Sequence, residues 1–127
     1  MPFVRCPTPG DAQTALDRVV RTQGDALFLF FGSEDPATGA SWCPDCVTAD
    51  PVLRATIAAA APRLAVHECP VGERSAWKGR MDHPYRLHPA FHLARIPTLI
   101  RFRRGIDIGR LVEAPCADPA AVRAFLG

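Results

Sequence analysis

Ser41-Trp42-Cys43-Pro44-Asp45-Cys46 sets two cysteines in a C-x-x-C spacing where an apolar run gives way to a helix-favouring one. Before it, Ala26-Leu27-Phe28-Leu29-Phe30-Phe31 contains no polar residue and ends at Gly32, the pattern of a strand covered on both faces. After it, Pro44 to Ala61 is rich in helix formers, including Ala55 and Ala58 to Ala61, and stops before Pro62. Pro51 lies inside this stretch and is expected to kink it. Gly32 to Ser41, rich in turn formers and acidic at Glu34 and Asp35, must be a loop close to the cysteines.

Outward from this centre, Ala12, Ala15, Leu16, Val19 and Val20 fall on one face at helical spacing, predicting a helix over Asp11 to Arg21 with Asp11 as its cap. A short strand at Phe3 to Arg5 precedes it. Leu64 to Cys69 reads as a further strand, and Pro70 to Arg95 as a long irregular covering segment with a short helical stretch at Pro89 to Ala94. Ile96 to Phe102 is a strand, Arg103-Arg104-Gly105 a turn, and Ile106 to Val112 a second strand antiparallel to it. Asp118-Pro119 opens a C-terminal helix ending at Leu126. The order β-α-β-α-β, then a hairpin and a helix, predicts an α/β fold with a central mixed sheet flanked by helices on both faces.

The chain has 127 residues, enough for one core, and a single domain over 1-127 is expected. With 48% apolar and 22% charged residues and no run of the roughly 18 apolar residues a membrane span needs, a membrane role is not expected. A net charge of +2 is too small to argue for nucleic acid, and Arg101 to Arg104 reads as the solvated end of a strand. Met1 to Cys6 lacks the basic and apolar stretches of a secretory leader, so a cytoplasmic location is expected. The 5 cysteines are an odd number and widely spread, a poor disulfide framework. Cys69 and Cys116 read as small buried residues, and Cys6, near the terminus, as exposed.

The C-x-x-C spacing suits disulfide chemistry. If Cys43 caps the helix, Pro44, Asp45 and Cys46 form its first turn, and the amides near Cys46 point at the Cys43 sulfur and favour its thiolate. Cys43 is then the nucleophile and Cys46 the resolving thiol, which attacks the mixed disulfide and releases the reduced substrate. Pro44 and Asp45 are good first-turn residues in their own right; alternatively Asp45 tunes the pair by weakly opposing the thiolate. A structural zinc takes four ligands, yet no second C-x-x-C exists and His88 and His92 lie far outside the usual spacing, so no metal is expected. None of the four histidines carries a nucleophile-acid pattern. Trp42 is either core aromatic or a flat contact surface beside the sulfur. Lys78, the lone lysine, is either a substrate contact or ordinary surface.

Trp42-Cys43-Pro44-Asp45-Cys46 at a helix start, Pro51 following it, and Ile96-Pro97-Thr98 opening a late strand resemble the thioredoxin fold. Gly32-Ser33, the Ser41 to Cys46 motif, Val71-Gly72-Glu73-Arg74 with Trp77-Lys78, Ile96-Pro97-Thr98-Leu99 and Leu111-Val112-Glu113 resemble, more narrowly, the thioredoxin domain-containing protein 17 family, over about Leu27 to Cys116. The resemblance implies reduction of small disulfides such as cystine and of selected protein thiol adducts. It implies a redox-active Cys43-Cys46 disulfide with no bound cofactor, and electrons from NADPH through thioredoxin reductase. Selected client proteins are further expected partners, and a monomer is the expected state. The alternative is a binding or adaptor module whose cysteine pair is vestigial or regulatory.

By the same resemblance Pro97 is cis and sits against the active sulfur, leaving the Ile96 backbone to pair with extended substrate; by residue type alone a trans proline opening a strand is equally open. Thioredoxins carry a buried Asp in the strand before the motif, and Phe30 aligns there. The proton of Cys46 must then pass to water or to Glu34, Asp35 or Asp45. The loop before Trp42 and the Pro70 to Arg95 segment are expected to border the thiols and to hinder large partners more than small molecules.

Overall fold

The computed structural model describes residues 3–127; Met1 and Pro2, where the stretch read for a leader begins, lie outside them. Five strands form one sheet in the order β1-β3-β2-β4-β5, comprising β1 (Phe3–Arg5), β2 (Ala26–Phe31), β3 (Ala65–Pro70), β4 (Thr98–Arg103) and β5 (Ile106–Val112). β3 runs parallel to both β1 and β2, while β4 is antiparallel to β2 and β5 to β4. The expected mixed sheet is therefore present, and β2 lies at its centre, as its unbroken apolar sequence requires.

Period-2 alternation along β2 divides the core in two. Leu27 and Leu29 face α2 (Pro44–Ala60) and α5 (Pro119–Leu126), packing with Ala49, Leu53, Ile57, Val66 and Val122. Phe28 and Phe30 face α1 (Pro9–Arg21) and the covering segment, meeting Leu16, Tyr85 and Phe91. α2 buries Cys46, Ala49, Leu53, Thr56 and Ile57, one stripe at three- and four-residue spacing, and runs through Pro51 without ending there.

Several boundaries and environments differ from expectation for identifiable reasons. α1 starts at Pro9, not Asp11: Thr8 is the N-cap, and Asp11 completes a reciprocal capping box with it. The β3 and β4 starts shift to Ala65 and Thr98. The helical stretch expected at Pro89 to Ala94 is absent; His92 takes a left-handed φ of 41°, and the helices fall instead at α3 (Arg74–Trp77) and α4 (Pro84–Leu87). α4 begins where Pro84 is preceded by His83, whose ring nitrogen accepts the Tyr85 amide at 3.0 Å. Arg101 is not solvated: its guanidinium is buried and donates to the Phe125 and Leu126 carbonyls at the end of α5. Cys6 is also buried, at 3% exposure, because its amide continues the β1 ladder onto the Glu68 carbonyl at 2.8 Å. Cys69 and Cys116 are fully buried as expected, Cys116 in a 3-10 helix (Ala114–Ala117).

Candidate active site

The carboxyl end of β2 feeds the loop from Gly32 to Ser41, which is pinched shut by an antiparallel bridge between Glu34 and Ser41 and by the Asp35 amide donating to the Ala40 carbonyl at 2.8 Å. The Ser41 hydroxyl donates to the Gly32 carbonyl at 2.6 Å and accepts the Cys43 amide at 3.1 Å, fixing the approach to α2. Ser41 thus orients Cys43, a role the sequence analysis left unassigned. Trp42 is half-buried across Gly32, and its indole nitrogen donates to the Gly72 carbonyl at 2.8 Å. The indole is both packing and surface, because it also lines the groove in front of Cys43.

Cys43 is the N-cap of α2, with Pro44 in the first turn and Asp45 as its one acid. The Cys46 amide donates to the Cys43 sulfur at 3.3 Å, and the Cys46 thiol donates to the same sulfur at 2.6 Å. The Cys46 amide and the start of α2 thus converge on one sulfur. Cys46 is buried behind it: burial first, and the hydrogen bond to Cys43 second, push its thiol far above the ordinary range. The two sulfurs are therefore unequal, one stabilised as an acceptor and the other held protonated.

The thiols open onto two different spaces. In front of Cys43 lies a groove of about 480 Å³ lined by Trp42, Asp45, Trp77, Lys78, Arg95 and Ile96 among others. Arg74 and Arg86 add to its positive rim, and Arg86 lies 3.5 Å from the centre of the Trp77 ring. Four basic residues thus outnumber the acids Asp45 and Glu113 in the groove, Arg95 being paired with Glu113 at 3.0 Å, and Glu34 and Asp35 do not line it. Behind Cys46 lies a cavity of about 170 Å³, lined by Leu29, Glu34, Ser41, Asp50, Arg54 and Pro97 among others. The covering segment borders the first space and the Gly32 to Ser41 loop the second.

Ile96 and Pro97 are joined by a cis peptide bond, and the Thr98 hydroxyl donates to the Arg95 carbonyl at 2.6 Å, holding the bend. Ile96 reaches the Cys43 groove and Pro97 the Cys46 cavity.

The strand position opposite Cys46 needs correction. Phe30 points to the other side of the sheet, edge-on to Tyr85 at 5.0 Å and Phe91 at 4.9 Å. Leu29 and Phe31 are the β2 residues that line the cavity with Cys46. In register beside Leu29, on β3, stands Glu68, a buried carboxylate paired with Arg54 of α2. Of the candidate proton acceptors, Asp45 lies on the Cys43 side and Asp35 caps its own loop by accepting the Ala37 amide at 2.8 Å. Glu34 does line the cavity. Burial pushes its carboxyl up, but the Arg5 hydrogen bond and charge outweigh this and hold it below the ordinary value, so it is a poor base. Asp50, which sequence reasoning missed, lines the same cavity four residues after Cys46 on the same helix face, a spacing that could have pointed to it, and its two oxygens accept from Arg54 at 3.1 Å.

A family model described as thioredoxin domain-containing protein 17-like, thioredoxin domain, matches residues 10–127. The chain belongs to this family. It is 34% identical over 105 residues to thioredoxin domain-containing protein 17 of Epinephelus coioides, covering 83% of this chain and 80% of that one. It is 39% identical over 87 residues to the thioredoxin-like protein Clot of Arabidopsis thaliana, covering 68% of this chain but only 64% of the relative. Among solved structures, oxidised thioredoxin O1 of Arabidopsis thaliana superposes with a TM-score of 0.69 at 17% identity, covering 99% of this chain and 96% of that one. At that identity the likeness speaks for the thioredoxin fold alone, and it agrees with the mixed five-stranded sheet. Among the described residues no cluster of three or more His, Cys, Asp or Glu could hold a metal, and no helix is long and apolar enough to cross a membrane.

Proposed function

We propose that the chain is a thiol-disulfide oxidoreductase that reduces small disulfides such as cystine, and selected protein thiol adducts, through Cys43 and Cys46. The observation that carries this reading is the Cys46 amide aimed at the Cys43 sulfur at 3.3 Å at the start of α2, with the buried Cys46 thiol next to it. Cys43 attacks one substrate sulfur, forming a mixed disulfide and releasing the first thiolate. Cys46 then gives up its proton and attacks the Cys43 sulfur; the second substrate thiolate leaves, and the Cys43-Cys46 disulfide carries the oxidation. NADPH restores the dithiol through thioredoxin reductase, in the cytoplasm.

Burial makes Cys46 a reluctant acid, so its deprotonation is the step that needs help. In this reading the proton passes into the cavity behind it, which is roomy enough for water, and on to Asp50. The basic rim of Arg74, Lys78, Arg86 and Arg95 favours disulfides bearing carboxylates, and Trp42 and Ile96 supply the apolar floor.

NADPH consumption is followed with thioredoxin reductase, offering cystine to the wild type, Cys43→Ser and Cys46→Ser. Turnover is expected from the wild type only, with Cys46→Ser accumulating a mixed disulfide on Cys43. No cystine turnover by the wild type, when the reductase demonstrably reduces its Cys43-Cys46 disulfide, overturns the substrate assignment. Failure to form that disulfide at all overturns the oxidoreductase reading.

A further inference from the structure

Cys6 and Cys69 take no part in the chemistry above. They are nonetheless neighbours by construction: β1 and β3 pair in parallel with Arg5 opposite Glu68, and the Cys6 amide then donates to the Glu68 carbonyl at 2.8 Å. Adjacent strands lie about 4.8 Å apart, inside the roughly 4.4 to 6.8 Å between α-carbons that a disulfide spans. Both side chains enter the same core cluster, with exposures of 3% and 0%, and the Cys69 thiol donates to the His67 carbonyl of its own strand at 3.6 Å.

The pair is also chemically unequal. The contact with Cys69 holds the Cys6 thiol below its ordinary value despite burial, while the contact with Cys6, and then burial, push Cys69 well up. Over them sits Tyr85, 1% exposed, whose hydroxyl has no partner and whose titration is raised by burial and then by the two cysteines. Pro7 and Pro70, the residues directly after the two cysteines, line with Tyr85 a surface cleft of about 580 Å³; neither cysteine lines it, so the oxidant meets the pair only when the short β1 edge opens.

We propose that Cys6 and Cys69 form a second redox couple, closing to an intramolecular disulfide when the protein meets an oxidised low-molecular-weight disulfide. The Cys6 thiolate attacks one sulfur of the oxidant, forming a mixed disulfide and releasing one thiolate. Cys69 loses its proton and attacks the Cys6 sulfur, releasing the second thiolate. Two electrons pass from the pair to the oxidant, which leaves as two thiols. The new bond ties β1, an edge strand of only three residues, covalently to β3 and closes a loop through α1, β2 and α2, constraining the unfolded chain. The inference does not rest on the reductase reading, because Cys43 and Cys46 are not used.

The test uses Cys43→Ser/Cys46→Ser protein, which retains Cys6, Cys69 and Cys116. It is exposed to oxidised glutathione, unfolded, alkylated, digested without reductant and mapped by mass spectrometry. A peptide linking Cys6 to Cys69 is expected, with Cys116 alkylated, together with a rise in the melting temperature that a reductant reverses. In the Cys69→Ala version of the same protein, a glutathione adduct should accumulate on Cys6. Full alkylation of all three thiols after exposure, a link involving Cys116, or an adduct on Cys6 that persists although Cys69 is present overturns the proposal.

Discussion

Gly32→Ala offers a calculable perturbation of the site. Gly32 has no left-handed φ, so its backbone accepts alanine, and the effect is steric. An added Cβ would stand 2.7 Å from Trp42 Cε2, 2.9 Å from Trp42 Nε1 and 3.0 Å from Ser41 Oγ. Carbon contacts settle at about 3.5 Å or more, so the indole must retreat by roughly 0.8 Å. Its 2.8 Å hydrogen bond to the Gly72 carbonyl is then lost or badly stretched. Overpacking of about 1 to 3 kcal/mol and a hydrogen bond of about 1 kcal/mol together destabilise by about 2 to 4 kcal/mol. For a chain of this size that lowers the melting temperature by about 10 °C. The Ser41 hydroxyl, which links the Gly32 carbonyl to the Cys43 amide, moves with it, so the proposed reduction of cystine should fall about tenfold. Thermal melts, near-ultraviolet circular dichroism of the indole and the coupled NADPH assay read the three effects. A melting temperature within about 2 °C of wild type, with unchanged indole signal, refutes the reasoning that Gly32 is kept small by Trp42.

Three other changes test separate parts of the molecule. Asp50→Asn should slow the attack of Cys46 on the mixed disulfide by about tenfold at neutral pH while leaving alkylation of Cys43 unchanged; equal rates in a rapid-quench measurement remove Asp50 from the proton route. Glu68→Gln breaks the pairing with Arg54, whose side chain is 42% exposed, so a loss of about 1 to 2 kcal/mol in urea unfolding is expected, well below that of a fully buried pair. His67 is held below its ordinary value by burial and then by Arg18, and its Nδ1 has no partner. The unfolded chain therefore takes up a proton more readily than the folded one as pH falls below about 6.5, so stability drops from there down to the depressed folded value. His67→Leu should flatten that slope, and an unchanged pH profile would assign it elsewhere.

The elements easiest to read from the sequence were those whose pattern has a single interpretation. Six apolar residues from Ala26 to Phe31 suit a central strand, and Asp118-Pro119 before an apolar stripe suits a capped helix. The C-x-x-C pair at a helix start was legible because Pro44 marks a first turn. The covering segment was not, since α3 and α4 have only four residues each, too few for periodicity; α4 rests on local capping by His83, and α3 has no side-chain cap. Burial of Cys6 and Arg101 was equally hidden: each is set by a partner far along the chain, the Glu68 carbonyl for one and the end of α5 for the other.

The position expected to hold the acid shows why one residue of register matters. Along a strand, successive side chains leave on opposite faces, so shifting an alignment by one exchanges the two halves of the core. Placing the expected carboxylate at Phe30 would send it among Tyr85 and Phe91, on the side away from the cavity behind Cys46. The face that does look onto that cavity has Leu29, and a carboxylate could enter the layer only from a neighbouring strand or from α2 itself. Both are present: Glu68 stands next to Leu29 and Asp50 follows Cys46 by one helical turn, and Arg54 pairs with each of them. Of these two, Asp50 lines the cavity with the thiol, as Glu34 does from the loop. In the proposed reduction the base for Cys46 therefore comes from the helix and not from the apolar β2, and Asp50, whose side chain is 49% exposed, must give up Arg54 to take the proton.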